Sequence, residues 1–307
     1  MGKIAFVFAG QGAQYPGMGR EIYDASPAAR EAMDRAEQLR PGTLEMCFSG
    51  DAESLNQTIN TQPSMFLVDY ACALAAREAG VSPDCAAGFS LGEVAAATFA
   101  GMLSFEDGFK LVMRRAELMQ SCAERRPGAM AAVLRLNSEQ VEALCAEFDE
   151  VYPVNYNCPG QTVVTCAAER LAPFSARVAE LRGRAVKLKV SGAFHSPYML
   201  PATEGLSEYL KGVELKPCAI PLYANKTARP YAGDYAALLA GQVSSPVLWQ
   251  ASVEHMIEDG VDTFVEVGAG NTLSGLIAKI NAQVKVYNVA DLQGLKRLSG
   301  ARAEGAV

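Results

Sequence analysis

Apolar runs and helical periods alternate along most of the chain, and this alternation predicts a sheet flanked by helices. Buried-type strands are predicted at residues 3–9, 85–89, 221–225 and 263–267. The stretches around them predict helices at 18–39, 63–79, 91–100, 104–124, 199–212, 234–239, 252–259 and 273–280. This order is typical of an α/β fold with a mostly parallel, hydrolase-like sheet. The last dozen residues lack the pattern and are expected to form a frayed tail.

A different order of elements interrupts the alternation after Pro127-Gly128. Strands are predicted there at 129–136, 151–157, 161–167 and 184–190, with helices at 138–148 and 171–181. The resulting βαββαβ order is the ferredoxin-like arrangement. We therefore expect a discontinuous α/β catalytic domain, residues 1–127 and 192–307, with an inserted ferredoxin-like subdomain at 128–191.

Composition excludes some classes of protein. Half of the 307 residues are hydrophobic and 20% are charged, which is ordinary for a globular chain. The net charge of −7 does not favour nucleic-acid binding. The eight cysteines form no C-x-x-C pair and mostly lie in apolar runs, which indicates reduced thiols and a cytoplasmic location. No stretch approaches the roughly 18 apolar residues of a membrane span, so neither a span nor an anchor is expected.

Candidate chemistry centres on Ser90, in the sequence Gly88-Phe89-Ser90-Leu91-Gly92. A Gly-x-Ser-x-Gly stretch carries a mechanism only where it forms the sharp turn between a strand and a helix, because that turn exposes the serine oxygen. Here an apolar run precedes the motif and an alanine-rich helix follows it. This order favours a nucleophile, and the alternative is an ordinary helix-capping serine.

The helix predicted at 104–124 places two neighbouring arginines on different faces. By the helical period Arg114 falls on the polar face, whereas Arg115 falls on the apolar face. A guanidinium on an apolar face must find an anion, because an unpaired buried charge is costly. Arg115 is therefore either in a salt bridge with an internal carboxylate or a receptor for a substrate carboxylate.

A serine hydroxyl needs a base, and the chain contains only two histidines. His255 lies on a predicted helix among polar neighbours and is expected to face solvent. His195 lies in a loop of small residues after the inserted subdomain and is the predicted partner of Ser90; the alternative is a loop histidine bonded only to backbone. No Asp or Glu near the motifs is recognisable as a third triad member, so backbone carbonyls are candidates to orient the base.

Six motifs occur in the order seen in malonyl-CoA:acyl carrier protein transacylases, and the chain resembles that family from residue 3 to about 290. The motifs are GQGAQ at 10–14, GFSLGE at 88–93, RAELMQ at 115–120, NCPGQ at 157–161, GAFHS at 192–196 and EVGAG at 266–270. The resemblance implies a stand-alone acyltransferase of type II fatty acid synthesis. Its substrates would be malonyl-CoA and holo acyl carrier protein, and it would need neither a metal nor a bound cofactor.

The resemblance also implies a ping-pong mechanism and assigns residues to it. Ser90, with His195 as base, would attack the thioester, and the phosphopantetheine thiol of the carrier would then take the malonyl group from the serine. The backbone N–H groups of Gln11 and Leu91 would bind the oxyanion. Arg115 would bind the malonyl carboxylate.

Further expectations follow from the family pattern. Phe194 matches the Ala-Phe-His form associated with malonyl selection, because its bulk would crowd an α-methyl group. Gln242 matches a glutamine near the site, and Asn225 matches a position whose carbonyl orients the histidine; capping is the alternative for both. The chain departs from the family at Phe89, where a histidine is usual, and we expect activity to survive this change.

The acidity of acyl carrier proteins makes a basic surface near the site a candidate for docking. The densest basic strip, close in sequence to the loop of His195, consists of Arg182, Arg184, Lys187 and Lys189. The alternative is a solvated strand edge protected by charge. No nucleic acid or membrane partner is expected, and the chain is expected to act as a monomer.

Three other functions stay open at the level of sequence. A serine thioesterase or hydrolase would release the acyl group to water, although an inward Arg115 favours a dicarboxylic acyl group. A stand-alone malonyl acyltransferase serving a polyketide synthase would carry the same motifs. A non-catalytic carrier-binding module would leave Ser90 unacylated.

Overall fold

The computed structural model describes residues 2–190 and 192–307, in which nine strands form two sheets. The strands are β1 (Lys3–Phe8), β2 (Cys85–Gly88), β3 (Gly128–Leu134), β4 (Val151–Cys158), β5 (Gln161–Ala167), β6 (Arg184–Lys187), β7 (Leu222–Tyr223), β8 (Val261–Val267) and β9 (Lys285–Val289).

Fourteen α-helices occupy much of the rest of the described chain. They are α1 (Arg20–Ala25), α2 (Pro27–Leu39), α3 (Thr43–Ser49), α4 (Ala52–Leu55), α5 (Thr58–Glu78), α6 (Gly92–Phe99), α7 (Phe105–Arg125), α8 (Ser138–Ala146), α9 (Leu171–Glu180), α10 (Leu200–Leu210), α11 (Tyr235–Gly241), α12 (Trp249–Glu258), α13 (Thr272–Ile280) and α14 (Leu292–Ala303). In these parts of the chain no helix is long and apolar enough to cross a membrane.

The larger sheet has the strand order β7-β2-β1-β8-β9, and all its pairs are parallel. The predicted α/β fold is thus confirmed. β1 is flanked by β2 on one side and β8 on the other, so Phe8 pairs with both Gly88 and Val267. In such sheets the crevice for a ligand forms at the carboxyl ends of the strands, where the direction of winding changes. The loops after β1 and β2, which carry Gln11 and Ser90, therefore meet at this edge.

The smaller sheet is antiparallel, with the order β4-β5-β3-β6, as in the ferredoxin-like arrangement. Its edge strand β4 is attached to the rest of the molecule: the Val247 N–H donates to the Val154 carbonyl at 2.8 Å, and the Tyr156 N–H donates to the Val247 carbonyl at 3.0 Å. The domain boundaries at 127/128 and 191/192 remain a prediction, and Ser191 lies outside the described residues.

Two of the predicted helices differ from the structure by more than their last few residues. Helix α5 begins five residues before Pro63, which has no N–H to donate; the freed Ile59 carbonyl instead accepts from Arg40 Nη2 at 3.4 Å. The stretch 18–39 forms two helices, because the Ser26 hydroxyl accepts from the Ala29 N–H and starts α2 there.

The expected frayed tail at the end of the chain was wrong. The Asp291 side chain accepts from the Gly294 N–H at 2.7 Å and starts α14. Leu298 is fully buried and Val307 is 6% exposed. Burial of these apolar side chains stabilises a helix whose own sequence has little amphipathic pattern.

Candidate active site

Ser90 lies at the sharp turn between β2 and α6, as the elbow prediction requires. Its φ of 55° is in the left-handed region, which is strained for a non-glycine residue. Two glycines make room for this turn. A Cβ on Gly88 would lie 2.0 Å from the Gly92 carbonyl, and one on Gly92 would lie 2.3 Å from the Phe8 oxygen. Any side chain at either position would therefore displace Ser90.

His195 is the histidine that the fold brings to Ser90. Its Nε2 lies 2.7 Å from Ser90 Oγ, and its Nδ1 lies 3.1 Å from the Gln242 carbonyl and 3.2 Å from the Ser245 carbonyl. Because both carbonyls can only accept, they place the ring proton on Nδ1 and leave Nε2 free to accept from the serine hydroxyl. Two backbone carbonyls thus orient the His195 ring, which is the arrangement that the sequence left as a candidate.

The expectation that the Asn225 carbonyl orients the histidine was wrong. That carbonyl accepts from the Leu248 N–H at 2.9 Å. The Asn225 side chain instead holds the elbow: its Oδ1 accepts from the Ser90 N–H at 2.7 Å, and its Nδ2 donates to the Gly88 carbonyl at 2.5 Å. Asn225 therefore contacts the turn at Ser90 and not the His195 ring.

The second histidine lies outside this site. His255 was expected to face solvent, but it is half-buried and its Nδ1 lies 2.7 Å from the Ala228 carbonyl. The prediction of exposure rested on the polar neighbours of His255 on its own helix. It was wrong because the Ala228 contact comes from a loop distant in sequence.

The surroundings of His195 keep it neutral. The side chain is buried, and desolvation together with the positive charge of Arg115 lowers the pKa of His195 to about 4, against the stabilising effect of the two carbonyls. A neutral imidazole at pH 7 can accept the proton of Ser90.

Arg115 points from α7 at Ser90 and is 2% exposed. Its Nη1 donates to Gln62 Oε1 at 2.8 Å, and its Nη2 donates to Gln242 Oε1 at 2.8 Å and to Ser90 Oγ at 3.1 Å. These acceptors are two amides and a hydroxyl, so within residues 2–190 and 192–307 Arg115 does not form the salt bridge that was its alternative role. Burial lowers the pKa of Arg115 to about 10, which leaves it charged at neutral pH. A buried cation without a bonded carboxylate suits an anionic substrate group.

Gln62 is a site residue that sequence analysis missed. It is fully buried on α5, and its Nε2 also lies 3.5 Å from the Met119 sulfur. The available signal was a polar residue within a helix that is otherwise buried on nearly all sides.

Gln11 lines the cavity over Ser90, and Leu91 directly follows Ser90 in the chain. Gln11 follows β1, and Leu91 precedes α6, where the first N–H groups of a helix have no intrahelical acceptor. Within residues 2–190 and 192–307 neither N–H is bonded to a backbone acceptor. The arrangement could therefore bind an oxyanion, as the resemblance predicts.

A cavity of about 70 Å³ lies over Ser90, and Phe194 forms part of its wall. The Phe194 side chain is 6% exposed and packs over Gly192, where an added Cβ would lie 2.5 Å from the ring. The cavity is lined by Gln11, Phe89, Ser90, Met119, Met130, Asn155, Leu188, Val190, Phe194 and His195. Because its wall is mostly apolar, a group bound in this cavity would make its polar contacts with Ser90 and its neighbours.

Two further cavities, of about 210 and 440 Å³, also include Gln11 and Leu188 and extend the cleft between the two sheets. Asn155 and Asn157 on β4 line the first of them. They are 8% and 6% exposed, and in the described chain the Oδ1 of each has no hydrogen-bond partner. Buried amide oxygens normally have donors, so a ligand with N–H groups would fit this wall.

Phe89 fills the position where the resembled family usually has histidine. Its ring packs edge-on against Trp249, with centroids 5.5 Å apart and an interplanar angle of 62°. The apolar ring is accommodated while Ser90 and His195 remain within hydrogen-bond distance.

Comparisons with known proteins place the chain among acyltransferases over nearly its whole length. A family model described as acyl transferase domain matches residues 5–301. The chain is 39% identical over 300 residues to the malonyl CoA-acyl carrier protein transacylase of Bacillus subtilis (strain 168), covering 95% of this chain and 94% of the relative. A crystal structure of malonyl CoA-acyl carrier protein transacylase from Clostridium perfringens ATCC 13124 matches with a TM-score of 0.95 and 38% identity, covering 99% and 98%. A further match is the structure of a type II PKS acyl-carrier protein in complex with its malonyl-transacylase. The matched chain of that complex has a TM-score of 0.93 and 30% identity, covering 97% of this chain and 99% of that chain.

Proposed function

The chain belongs to the acyl transferase family and, within it, to the malonyl CoA-acyl carrier protein transacylases, and on that premise we propose a two-step malonyl transfer. The protein takes the malonyl group from malonyl-CoA and passes it to the phosphopantetheine thiol of holo acyl carrier protein, which supplies fatty acid elongation. The observation that carries the proposal is the buried guanidinium of Arg115, 3.1 Å from the Oγ of Ser90.

The first step forms a malonyl ester of Ser90. The serine Oγ attacks the thioester carbonyl while His195 Nε2 takes the hydroxyl proton, and the N–H groups of Gln11 and Leu91 bind the developing oxyanion. Collapse of the tetrahedral intermediate breaks the carbon–sulfur bond. His195 returns the proton to the leaving thiolate, so that CoA departs as a thiol.

The second step reverses these roles with a different thiol. The carrier's phosphopantetheine thiol gives its proton to His195 and attacks the ester carbonyl, and the same two N–H groups bind the oxyanion. Breakage of the ester bond, with return of the proton to Ser90 Oγ, regenerates the enzyme. Because the histidine is neutral in the free protein, it can accept a proton at the start of either step.

Arg115 and Phe194 select the acyl group. The guanidinium would form a charge-assisted pair with the malonyl carboxylate, which an acetyl group lacks. The Phe194 ring, in the wall of the 70 Å³ cavity, would crowd an α-methyl group. This pairing of a cation with a bulky ring favours malonyl over both acetyl and methylmalonyl groups.

The cleft between the sheets would hold the arm that both substrates share. CoA and the holo carrier each present a pantetheine chain with two amide N–H groups. The unpaired Oδ1 atoms of Asn155 and Asn157 are suited to accept from such groups. One channel can therefore serve both half-reactions.

The basic strip is proposed as part of the carrier docking surface. All four of its residues are exposed: Arg182, Arg184, Lys187 and Lys189. The two lysines line the cavity of about 440 Å³ that also includes Gln11. Reversing these four charges should raise the KM for carrier protein several-fold and leave the KM for malonyl-CoA nearly unchanged.

Initial rates with each substrate varied in turn would measure this split. Charge reversal at Lys296, an exposed lysine on α14, provides the matched control and should change neither constant. Equal increases in both Michaelis constants would rule out a docking role for the strip.

The pH dependence of kcat/KM should reflect the lowered pKa of His195. A histidine with a pKa of about 4 is protonated, and inactive as a base, only below that pH. The acid limb of kcat/KM for malonyl-CoA should therefore lie near pH 4 to 5 rather than near the ordinary histidine value of about 6.5. A profile from pH 4 to 8, restricted to the range in which activity recovers after return to neutral pH, would measure it. An acid limb near 6.5 would contradict the inferred environment of the base.

The proposal also includes a cytoplasmic location and a monomeric state. The protein would need no metal or bound cofactor, since the mechanism uses only protein groups and the two thiols. The carrier complex among the structural relatives makes a polyketide carrier the second candidate acceptor.

The test is to incubate the protein with malonyl-CoA and holo acyl carrier protein and to follow the carrier by mass spectrometry. Malonylated holo carrier, with apo carrier unchanged, supports the transacylase. Release of CoA and malonate with no carrier product would identify a hydrolase. A lack of any CoA release would favour the non-catalytic module. Comparison of fatty acid and polyketide carriers would assign the pathway.

A further inference from the structure

A buried carboxylate lies behind Arg115, and the mechanism described above does not use it. Glu93, on α6, is fully buried. Its Oε2 accepts from the Asn225 N–H and from Gln242 Nε2, each at 3.0 Å, and its Oε1 accepts from the Tyr231 hydroxyl. Three donors directed at two oxygens suit the ionised carboxylate, which can only accept.

Gln242 connects this carboxylate to the receptor for the acyl group. Its Nε2 donates to Glu93 and to the Ser90 carbonyl, and its Oε1 accepts from Arg115 Nη2 at 2.8 Å. A carboxylate at the nitrogen end and a guanidinium at the oxygen end fix the direction of the amide. Glu93 and Arg115 also favour each other's charged form across it.

Opposing effects set the charge of Glu93. Burial raises the pKa of Glu93 to about 7, although its three hydrogen bonds and Arg115 act to lower it. The ionisable groups that face it are Arg115 from α7 and Tyr231 from the loop after β7, while His195 lies beyond Gln242 and Arg115. Burial and Glu93 raise the pKa of Tyr231 well above its ordinary value, so this hydroxyl stays neutral. A small electrostatic change at Arg115 can therefore change the protonation of Glu93.

We propose that Glu93 is the counter-ion of Arg115 in the empty site and takes up a proton from solvent when the malonyl carboxylate binds to that arginine. This inference rests on the proposed function, because it requires the malonyl carboxylate to lie at Arg115. Two carboxylates would then share one guanidinium in a buried site, and each disfavours the ionised form of the other. Glu93 is a positioning residue in this scheme, since it acts through Gln242 and Arg115 and does not touch the substrate.

Malonyl binding should consequently weaken as the pH rises. If the complex binds more protons than the free protein, affinity falls with pH between the two pKa values of Glu93, by at most about tenfold per pH unit for one proton. The fall begins near the free-protein pKa of about 7. Acetyl-CoA carries the same nucleotide and phosphates but no acyl carboxylate, so it should not show this dependence.

The experiment measures dissociation constants by isothermal titration calorimetry from about pH 6.5 to about pH 9. Ser90→Ala protein is used so that the ligands bind without reacting. We expect the dissociation constant of malonyl-CoA to rise several-fold over this range and that of acetyl-CoA to stay level. Titrations in two buffers of different ionisation enthalpy should show net proton uptake with malonyl-CoA only.

The neutral isostere Glu93→Gln, in the Ser90→Ala background, should abolish both the proton uptake and the pH dependence. Unchanged pH dependence in this variant would overturn the inference. Equal weakening of malonyl-CoA and acetyl-CoA at every pH would show a purely structural role and would also overturn it. Tyr231→Phe removes one donor to Glu93 but keeps the carboxylate. This variant should retain the pH dependence of malonyl-CoA binding, moved to higher pH. Loss of the pH dependence in Tyr231→Phe would contradict the proposal.

Titration of an Arg115→Met variant distinguishes failure of this inference from failure of the proposed function. If malonyl-CoA affinity does not depend on Arg115, the carboxylate does not bind there and the proposed selection of the acyl group fails. If affinity depends on Arg115 while Glu93→Gln keeps the pH dependence, only the coupling to Glu93 fails.

Discussion

Replacing Ser90 with alanine should lower kcat for malonyl transfer by about 10⁶-fold, the scale of loss seen when a Ser-His enzyme loses its nucleophile. The reason is that both half-reactions pass through the Ser90 ester, so its loss removes the covalent route and leaves only binding and the oxyanion site. Steady-state assay of carrier malonylation, with enough enzyme to detect the residual rate, would measure the effect.

The Ser90→Ala protein should still fold and bind malonyl-CoA, because Asn225 holds the elbow through the backbone N–H of residue 90. Ser252→Ala is a matched control: this buried serine on α12 bonds to the Leu248 carbonyl of its own helix, so its loss should leave kcat within a few-fold of wild type. A Ser90→Ala protein with near-normal turnover would exclude the serine ester mechanism.

Replacing Arg115 with methionine should lower kcat/KM for malonyl-CoA by about 10²- to 10³-fold, because loss of one partner from a buried charge pair costs roughly 2–5 kcal/mol. Methionine keeps much of the side-chain length but removes the charge and the donors to Gln62 and Gln242. Acetyl-CoA makes no contact with the charge, so its kcat/KM should fall far less. Competition between the two thioesters in one reaction would measure the change in preference.

Arg114→Met is the matched control for this substitution. Arg114 is the preceding residue on α7, but its side chain is 44% exposed and pairs with Glu117 at 3.0 Å. An exposed pair of this kind contributes little, so both thioesters should react within about twofold of wild type. If Arg115→Met lowered the rates with malonyl-CoA and acetyl-CoA equally, the arginine would shape the site rather than bind the carboxylate.

The residues that sequence analysis found are those whose chemistry follows from local pattern. The two glycines around Ser90 predict a close turn, and the structure has that turn. The period of α7 separates the exposed Arg114 from the buried Arg115. His195 follows from elimination, because only two histidines are present.

The residues that it missed depend on contacts between distant parts of the chain. Ser245 acts through a backbone carbonyl, which gives no signal in residue type. Gln62 directly precedes the helix predicted at 63–79, and Asn155 lies in the strand predicted at 151–157, so neither pattern marked these residues as part of the site. The wrong role for the Asn225 carbonyl has the same origin, since the direction of that peptide depends on its bond from Leu248.

The covalent step is tested most directly by intact-protein mass spectrometry after brief mixing with malonyl-CoA, followed by addition of holo acyl carrier protein. We expect one malonyl adduct on the wild-type protein, located at Ser90 by peptide mapping, and none on Ser90→Ala. The adduct should disappear as the carrier gains the same mass. An adduct at another residue, or malonylation of the carrier by Ser90→Ala at the wild-type rate, would contradict transfer through Ser90.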